Sequence, residues 1–99
     1  MNKAPGRSRE AAEALAVQAL NFLATEPERL SRFLALSGLA PDSIRQAAAE
    51  PGFLAGVLAH LGEDESLLVA FAAEAGVTPA DVDRARRTLA GGDWEREVP

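Results

Sequence analysis

The sequence predicts an all-α protein: a compact bundle of about six helices, built from two three-helix repeats with helix-turn-helix-like corners. Three observations lead there. Apolar residues recur three and four apart along most of the chain, the spacing of one buried helical face. No segment alternates polar and apolar residues as a strand would. The chain also matches itself when shifted by 38 positions: Leu20 falls on Leu58, Leu23 on Leu61, Leu30 on Leu68, Phe33 on Phe71, Gly38 on Gly76, Pro41 on Pro79, Ile44 on Val82 and Ala47 on Ala85. Phe-x-Ala-x-x-Gly-[Leu/Val]-x-Pro-x-x-[Ile/Val]-x-x-Ala therefore occurs at 33–47 and again at 71–85. Such self-similarity is the signature of a repeated supersecondary unit.

The expected organisation is a disordered leader over 1–8, one helical domain over 9–90 and a tail over 91–99. Repeat one spans 9–50 and repeat two 51–90. Ser8 is placed to cap a first helix running to about Ala24, with Ala12, Leu15, Ala16, Ala19, Leu20 and Leu23 on its buried stripe. Thr25 and Glu28 have the spacing of a capping box for the second helix, and Pro27 sits in its first turn. That helix carries Leu30, Phe33, Leu34 and Ser37 inward and ends at Gly38, which suits the left-handed conformation that closes a helix. Pro41 opens a short third helix with Ile44, Ala47 and Ala48 inside, ended by Pro51-Gly52.

The second copy follows the same plan. Phe53, Leu54, Val57, Leu58 and Leu61 form a stripe that stops at Gly62. Glu63 or Asp64 caps the next helix, which carries Leu67, Leu68, Phe71 and Ala75 to Gly76. Thr78-Pro79-Ala80-Asp81 is a capping box with proline at the first helical position. Val82, Ala85, Arg86 and Leu89 share a face of this last helix, and Gly91-Gly92 is expected to end it. Each unit has a face too apolar to stand alone, so the two should pack together about a pseudo-twofold.

Composition excludes more than it assigns. With no cysteine there is no disulfide, zinc-thiolate site or thiol nucleophile, and with no tyrosine no phenol chemistry. No glycine-rich phosphate loop and no Gly-x-Ser-x-Gly elbow is present. The apolar runs fall far short of a membrane span, and the reading is a soluble cytoplasmic protein. We expect no enzyme activity and no cofactor. Net charge is −5, and no Lys or Arg lies between Arg45 and Arg84, a stretch that holds Glu50, Glu63, Asp64, Glu65, Glu74, Asp81 and Asp83. An acidic field repels nucleic acid and anionic membrane and favours basic partners; the plainer account is that it keeps a small domain in solution.

Four features bear on binding. Ala72, Gly76, Val77 and Val82 have helix-turn-helix spacing, and Arg84, Arg86 and Arg87 add positive charge behind them. Against DNA, the residues of that helix that would meet base edges include Asp81 and Asp83. His60, the one histidine, stands where the first repeat has Phe22, which suggests a partly buried site or a groove edge; the plainer account is a helix-end histidine making a local hydrogen bond. With Glu63 and Asp64 it falls short of a transition-metal set, and no metal is expected. Glu63-Asp64-Glu65 is either a turn stabilised by the helix dipole or a docking site for a basic segment. Trp94, after the double glycine, packs on its own domain by default, the alternatives being an anchor for a partner or a disordered tail.

Several stretches carry a family resemblance: Ala14-Leu15-Ala16-x-Gln18-Ala19-Leu20-x-Phe22-Leu23-Ala24, Pro27-x-x-Leu30-x-Arg32-Phe33-Leu34, Ser37-Gly38-Leu39-x-Pro41, Phe53-Leu54 and Phe71. From Ala11 to about Leu89 the chain resembles a family of small, all-helical bacterial proteins of unknown function. That resemblance implies a compact helical module and offers no catalytic residues to carry over.

The expected function is a non-catalytic protein-interaction or adaptor module whose partner is basic at the contact. The expected contact surface is the groove between the repeats, with Arg29, Arg32 and His60 at its polar edge; the acidic turn Glu63, Asp64 and Glu65 and the ring of Trp94 are second choices. The alternative is a helix-turn-helix DNA-binding regulator.

Overall fold

The structure, a computed structural model, describes the backbone of residues 5–97, and within it the side chains of residues 9–91 apart from Pro41 and Pro51. Every described element is helical: α1 (Pro5–Ala24), α2 (Pro27–Ser37), a 3₁₀ turn (Pro41–Ser43) leading into α3 (Ile44–Ala47), α4 (Pro51–Gly62), α5 (Glu65–Ala75) and α6 (Pro79–Glu97). That makes six α-helices among the described residues and no strand. No helix among them is long and apolar enough to cross a membrane.

The helix starts follow the local chemistry closely. Proline opens α2, α4 and α6, where its missing N–H costs nothing. Asp64 caps α5, its Oδ1 accepting from the Leu67 amide at 3.2 Å. The box before α6 closes reciprocally: the Thr78 amide donates to Asp81 Oδ2 and the Asp81 amide to Thr78 Oγ1, both at 3.0 Å. Gly38 and Gly76 end α2 and α5 in the left-handed region, each at φ 75°. After them Leu39 and Val77 fold back on the core, their amides donating to Leu34 and Ala72 carbonyls at 3.2 and 3.0 Å.

Four boundaries differ from the sequence reading. α1 begins at Pro5, so Ser8 lies within its first turns and residues 5–8 of the expected leader are helical; residues 1–4 lie outside the described residues. Thr25 does not cap α2. Its hydroxyl donates to the Phe22 carbonyl at 2.6 Å and closes α1 instead, while Glu26 precedes α2 without a side-chain cap. Pro51-Gly52 belongs to the start of α4 rather than the end of α3. Gly91-Gly92 does not end α6, which continues to Glu97. Glycine costs a helix about 1 kcal/mol relative to alanine, a penalty that neighbouring turns can absorb where no chain reversal is imposed.

The helices pack in unequal roles. α1, α4 and α6 form a central trio, each against the other two; α5 packs on all three, and α2 on α1 and α4. One core results, with Leu23, Val57, Leu58, Leu61, Phe71 and Val82 all but sealed from solvent. Alanines at 12, 16 and 19 are buried on α1 and Ala85 on α6, small residues that let helix axes approach. The Phe22 and Phe71 rings, tilted at 5.5 Å, tie α1 to α5, and such a pair adds about 0.5–1.5 kcal/mol beyond its buried area. The helices that follow the Gly38 and Gly76 corners differ sharply. α6 supplies buried Val82, Ala85 and Leu89. α3 has four residues, none buried, and only Ile44 packs on the core.

Candidate functional site

Arg29, Arg32 and Leu36 are spaced three and four apart, so they share one face of α2, beside the stripe that buries Phe33 and Leu34. Phe33 fixes how α2 sits on α4. Its ring meets Phe53 edge-on at 5.7 Å and His60 edge-on at 5.2 Å, two residues two turns apart on α4. The Arg29 guanidinium lies 4.9 Å over the Phe22 ring, a cation–π contact that holds its stem against α1. On the far side, Gly62 ends α4 and the exposed turn Glu63-Asp64 leads into α5.

These walls enclose an open groove of about 650 Å³, lined by Arg29, Arg32, Leu36, His60, Glu63, Asp64, Glu65, Ser66 and Leu67. A smaller hollow of about 300 Å³ shares Leu36, His60 and Glu63 and is floored by Phe33, Gly56 and Ala59. The structure thus brings together six of the residues singled out from sequence: Arg29, Arg32, His60, Glu63, Asp64 and Glu65. It does not place the seventh. Trp94 lies on the helical backbone of α6, but its side chain is outside the described residues.

The groove carries both signs of charge on opposite walls. Among the described residues no ion pair within 4.0 Å crosses it; Arg32, Glu63, Asp64 and Glu65 are exposed, while the half-buried Arg29 rests its guanidinium on the Phe22 ring. His60 sits between them, half-buried. Burial of the ring lowers its pKa below the ordinary 6.5, and Arg32 pushes the same way while Glu63 and Asp64 oppose. The neutral ring is therefore favoured near neutral pH, consistent with its edge contact on Phe33.

Leu36 is the groove residue that sequence reasoning missed. It is 69% exposed, the most exposed of the large apolar side chains described. The signal was present: Leu36 follows Arg32 by four and Arg29 by seven, off the buried stripe and on the charged face.

The helix-turn-helix spacing meets a different arrangement. α6 turns Val82, Ala85 and Leu89 into the core. Its arginines pair along their own helix: Arg86 and Arg87 reach Asp83 at 2.9 and 3.0 Å, and Arg84 reaches Asp81 at 3.7 Å. Both aspartates are held below the usual carboxylate range, Asp81 chiefly by its hydrogen bonds with Thr78 and Asp83 chiefly by Arg86. Among the described residues no group of three or more His, Asp or Glu is arranged to hold a metal ion.

No curated protein and no solved structure matches the chain. A family model described as "Protein of unknown function (DUF3572)" matches residues 9–92, from the start of the buried stripe of α1 to well into α6. With that match covering most of its length, the all-helical chain belongs to the DUF3572 family.

Proposed function

We propose that this domain is a non-catalytic protein-interaction module of the cytoplasm, and that its contact surface is the groove between α2 and the α4–α5 turn. The observation that carries the reading is the groove itself: uncompensated charge of both signs around an exposed leucine. Buried charge pairs are a structural device, whereas unpaired charge flanking an apolar side chain is the make-up of an interface, with an anchor at the centre and a rim that steers. The acidic wall and the net charge of −5 favour a partner that is basic at the contact.

The DNA-binding alternative is less well supported. Asp81 and Asp83 stand at the start of α6, and the arginines behind them are engaged with those same aspartates. A helix entering a groove of DNA would have to break these pairs and bring two carboxylates towards phosphate. We also read the 38-residue period as two copies of one three-helix unit, supported by the like geometry of the Gly38 and Gly76 corners.

The test is an affinity capture from host lysate with the intact chain as bait, beside a Glu63→Lys/Glu65→Lys variant. Asp64 is kept because it caps α5. We expect a protein retained by the native chain and lost with the variant. Equal retention by both baits, or a salt-sensitive gel shift with duplex DNA, would sink the interaction reading.

A further inference from the structure

We propose that the partner fitting this groove is a second copy of the chain, docked so that Arg29 and Arg32 of each copy lie on the acidic turn of the other. This rests on reading the groove as a protein contact surface. A purely basic segment entering it would meet Arg29 and Arg32, and a purely acidic one would meet Glu63 and Glu65. The matching surface carries both signs in a set order across an apolar centre. The chain itself presents one: an arginine wall on α2, an acidic wall at the α4–α5 turn, and Leu36 bordering both hollows at 69% exposure.

Twofold association makes such a patch complementary to itself. An isologous interface pairs each residue with a different one on the partner, and the partner returns the pairing. With the axis lying in the interface and running along the groove between the walls, rotation carries the arginine wall of each copy over the acidic wall of the other. Neither wall is committed to an ion pair within 4.0 Å among the described residues; Arg32 is exposed, and Arg29, which rests on the Phe22 ring, keeps its charge unpaired by any carboxylate. Arg84, Arg86 and Arg87 on α6 are not available in the same way, being paired on their own helix. The basic contact expected of the partner is then supplied by Arg29 and Arg32 of the second copy.

The experiment uses the full chain and two charge-inverted variants, Arg29→Glu/Arg32→Glu and Glu63→Arg/Glu65→Arg, in sedimentation velocity over a concentration series. Physiological salt, with a screening length of about 8 Å, confines the electrostatics to the contact. We expect the native chain to dimerise. In each variant alone the two walls carry the same net sign, and its dissociation constant should rise about 100-fold or more. An equimolar mixture of the two should recover a heterodimer, since each then supplies the wall the other lacks; that recovery also shows that both variants fold. Leu36→Ser should weaken the native dimer without changing charge. A native chain that stays monomeric throughout, or variants with native helical circular dichroism whose mixture stays monomeric, overturns the dimer. The lysate capture scores the broader interaction reading separately, because it depends on Glu63 and Glu65 in the monomer as well.

Discussion

The motif at 33–47 and its copy at 71–85 start alike and end differently. Phe33 and Phe71 are both buried, at 3% and 1% exposure. Gly38 and Gly76 both turn the chain at φ 75°, and Leu39 and Val77 both pack back on the core. Beyond the proline the copies part. Pro41 leads through a 3₁₀ turn into a four-residue α3, while Pro79 opens the nineteen-residue α6 of the central trio. Two local differences account for this. The capping box of the second copy, Thr78 and Asp81, is replaced in the first by Ala40 and Ser43, and α3 starts without a side-chain cap. Leu89, buried on α6, stands where the first copy has Pro51. A proline forces the residue before it out of the helical region, and Glu50 is indeed extended at φ −104°, ψ 134°. The same apolar skeleton thus yields a core helix or a short connector according to its cap and its stop.

The largest effect should come from the buried end of that contrast. Leu89→Ala should cost about 2–5 kcal/mol, the range for a leucine removed from a packed core. Ile44→Ala, on half-buried α3, should fall below about 2 kcal/mol, the low end of that range. Urea melts of the two variants measure both, and equal losses would mean that α3 contributes to the core as α6 does. Next, Gly38→Ala and Gly76→Ala should each cost about 1–2 kcal/mol from the left-handed backbone alone, since a Cβ at either site meets nothing within 4 Å. Near-equal values would sharpen the likeness of the corners; a gap between them would break it.

Smaller still is the cap. Thr78→Ala should destabilise by about 1 kcal/mol. Moving the box into the first copy, as Ala40→Thr with Ser43→Asp, should stabilise by up to about 1 kcal/mol and raise helical circular dichroism. No gain would place the whole difference on Pro51. The smallest effect concerns His60, which falls on Phe22 when the sequence is shifted by 38 positions. Its pKa is lower in the folded protein than the ordinary 6.5, so on acidification the unfolded chain takes up the proton first. The stability tied to the neutral ring is complete above pH 6.5 and falls as pH drops from 6.5 towards the folded value. The decline in Tm between about pH 7.5 and about pH 5.5 should be shallower in His60→Phe than in the native chain. Parallel slopes would show that groups other than His60 carry the pH response.

The residues by themselves determined the helices, because the causes are local. Spacing of three and four put Ala12, Ala16, Ala19 and Leu23 on one buried face. Proline, a capping box and left-handed glycines marked most ends. Where local signals competed, sequence reasoning erred: Thr25 had a carbonyl of α1 within reach as well as an amide of α2, and only the packed chain decided between them. Gly91-Gly92 has the composition of a stop, yet α6 runs on through it. The candidate site was legible in its polar members, Arg29, Arg32, His60 and the acidic turn, because charge near an apolar stripe is visible in one dimension. That the acidic turn joins Arg29, Arg32 and His60 in one groove, with Leu36 beside them, was not legible. Arg29 and Glu65 are far apart in sequence, and their approach depends on how Phe33 seats α2 on Phe53 and His60 of α4. Tertiary packing also decided that α6 and not α3 joins α1 and α4 in the core. A helix of four residues has too little apolar face to compete for that place with one of nineteen.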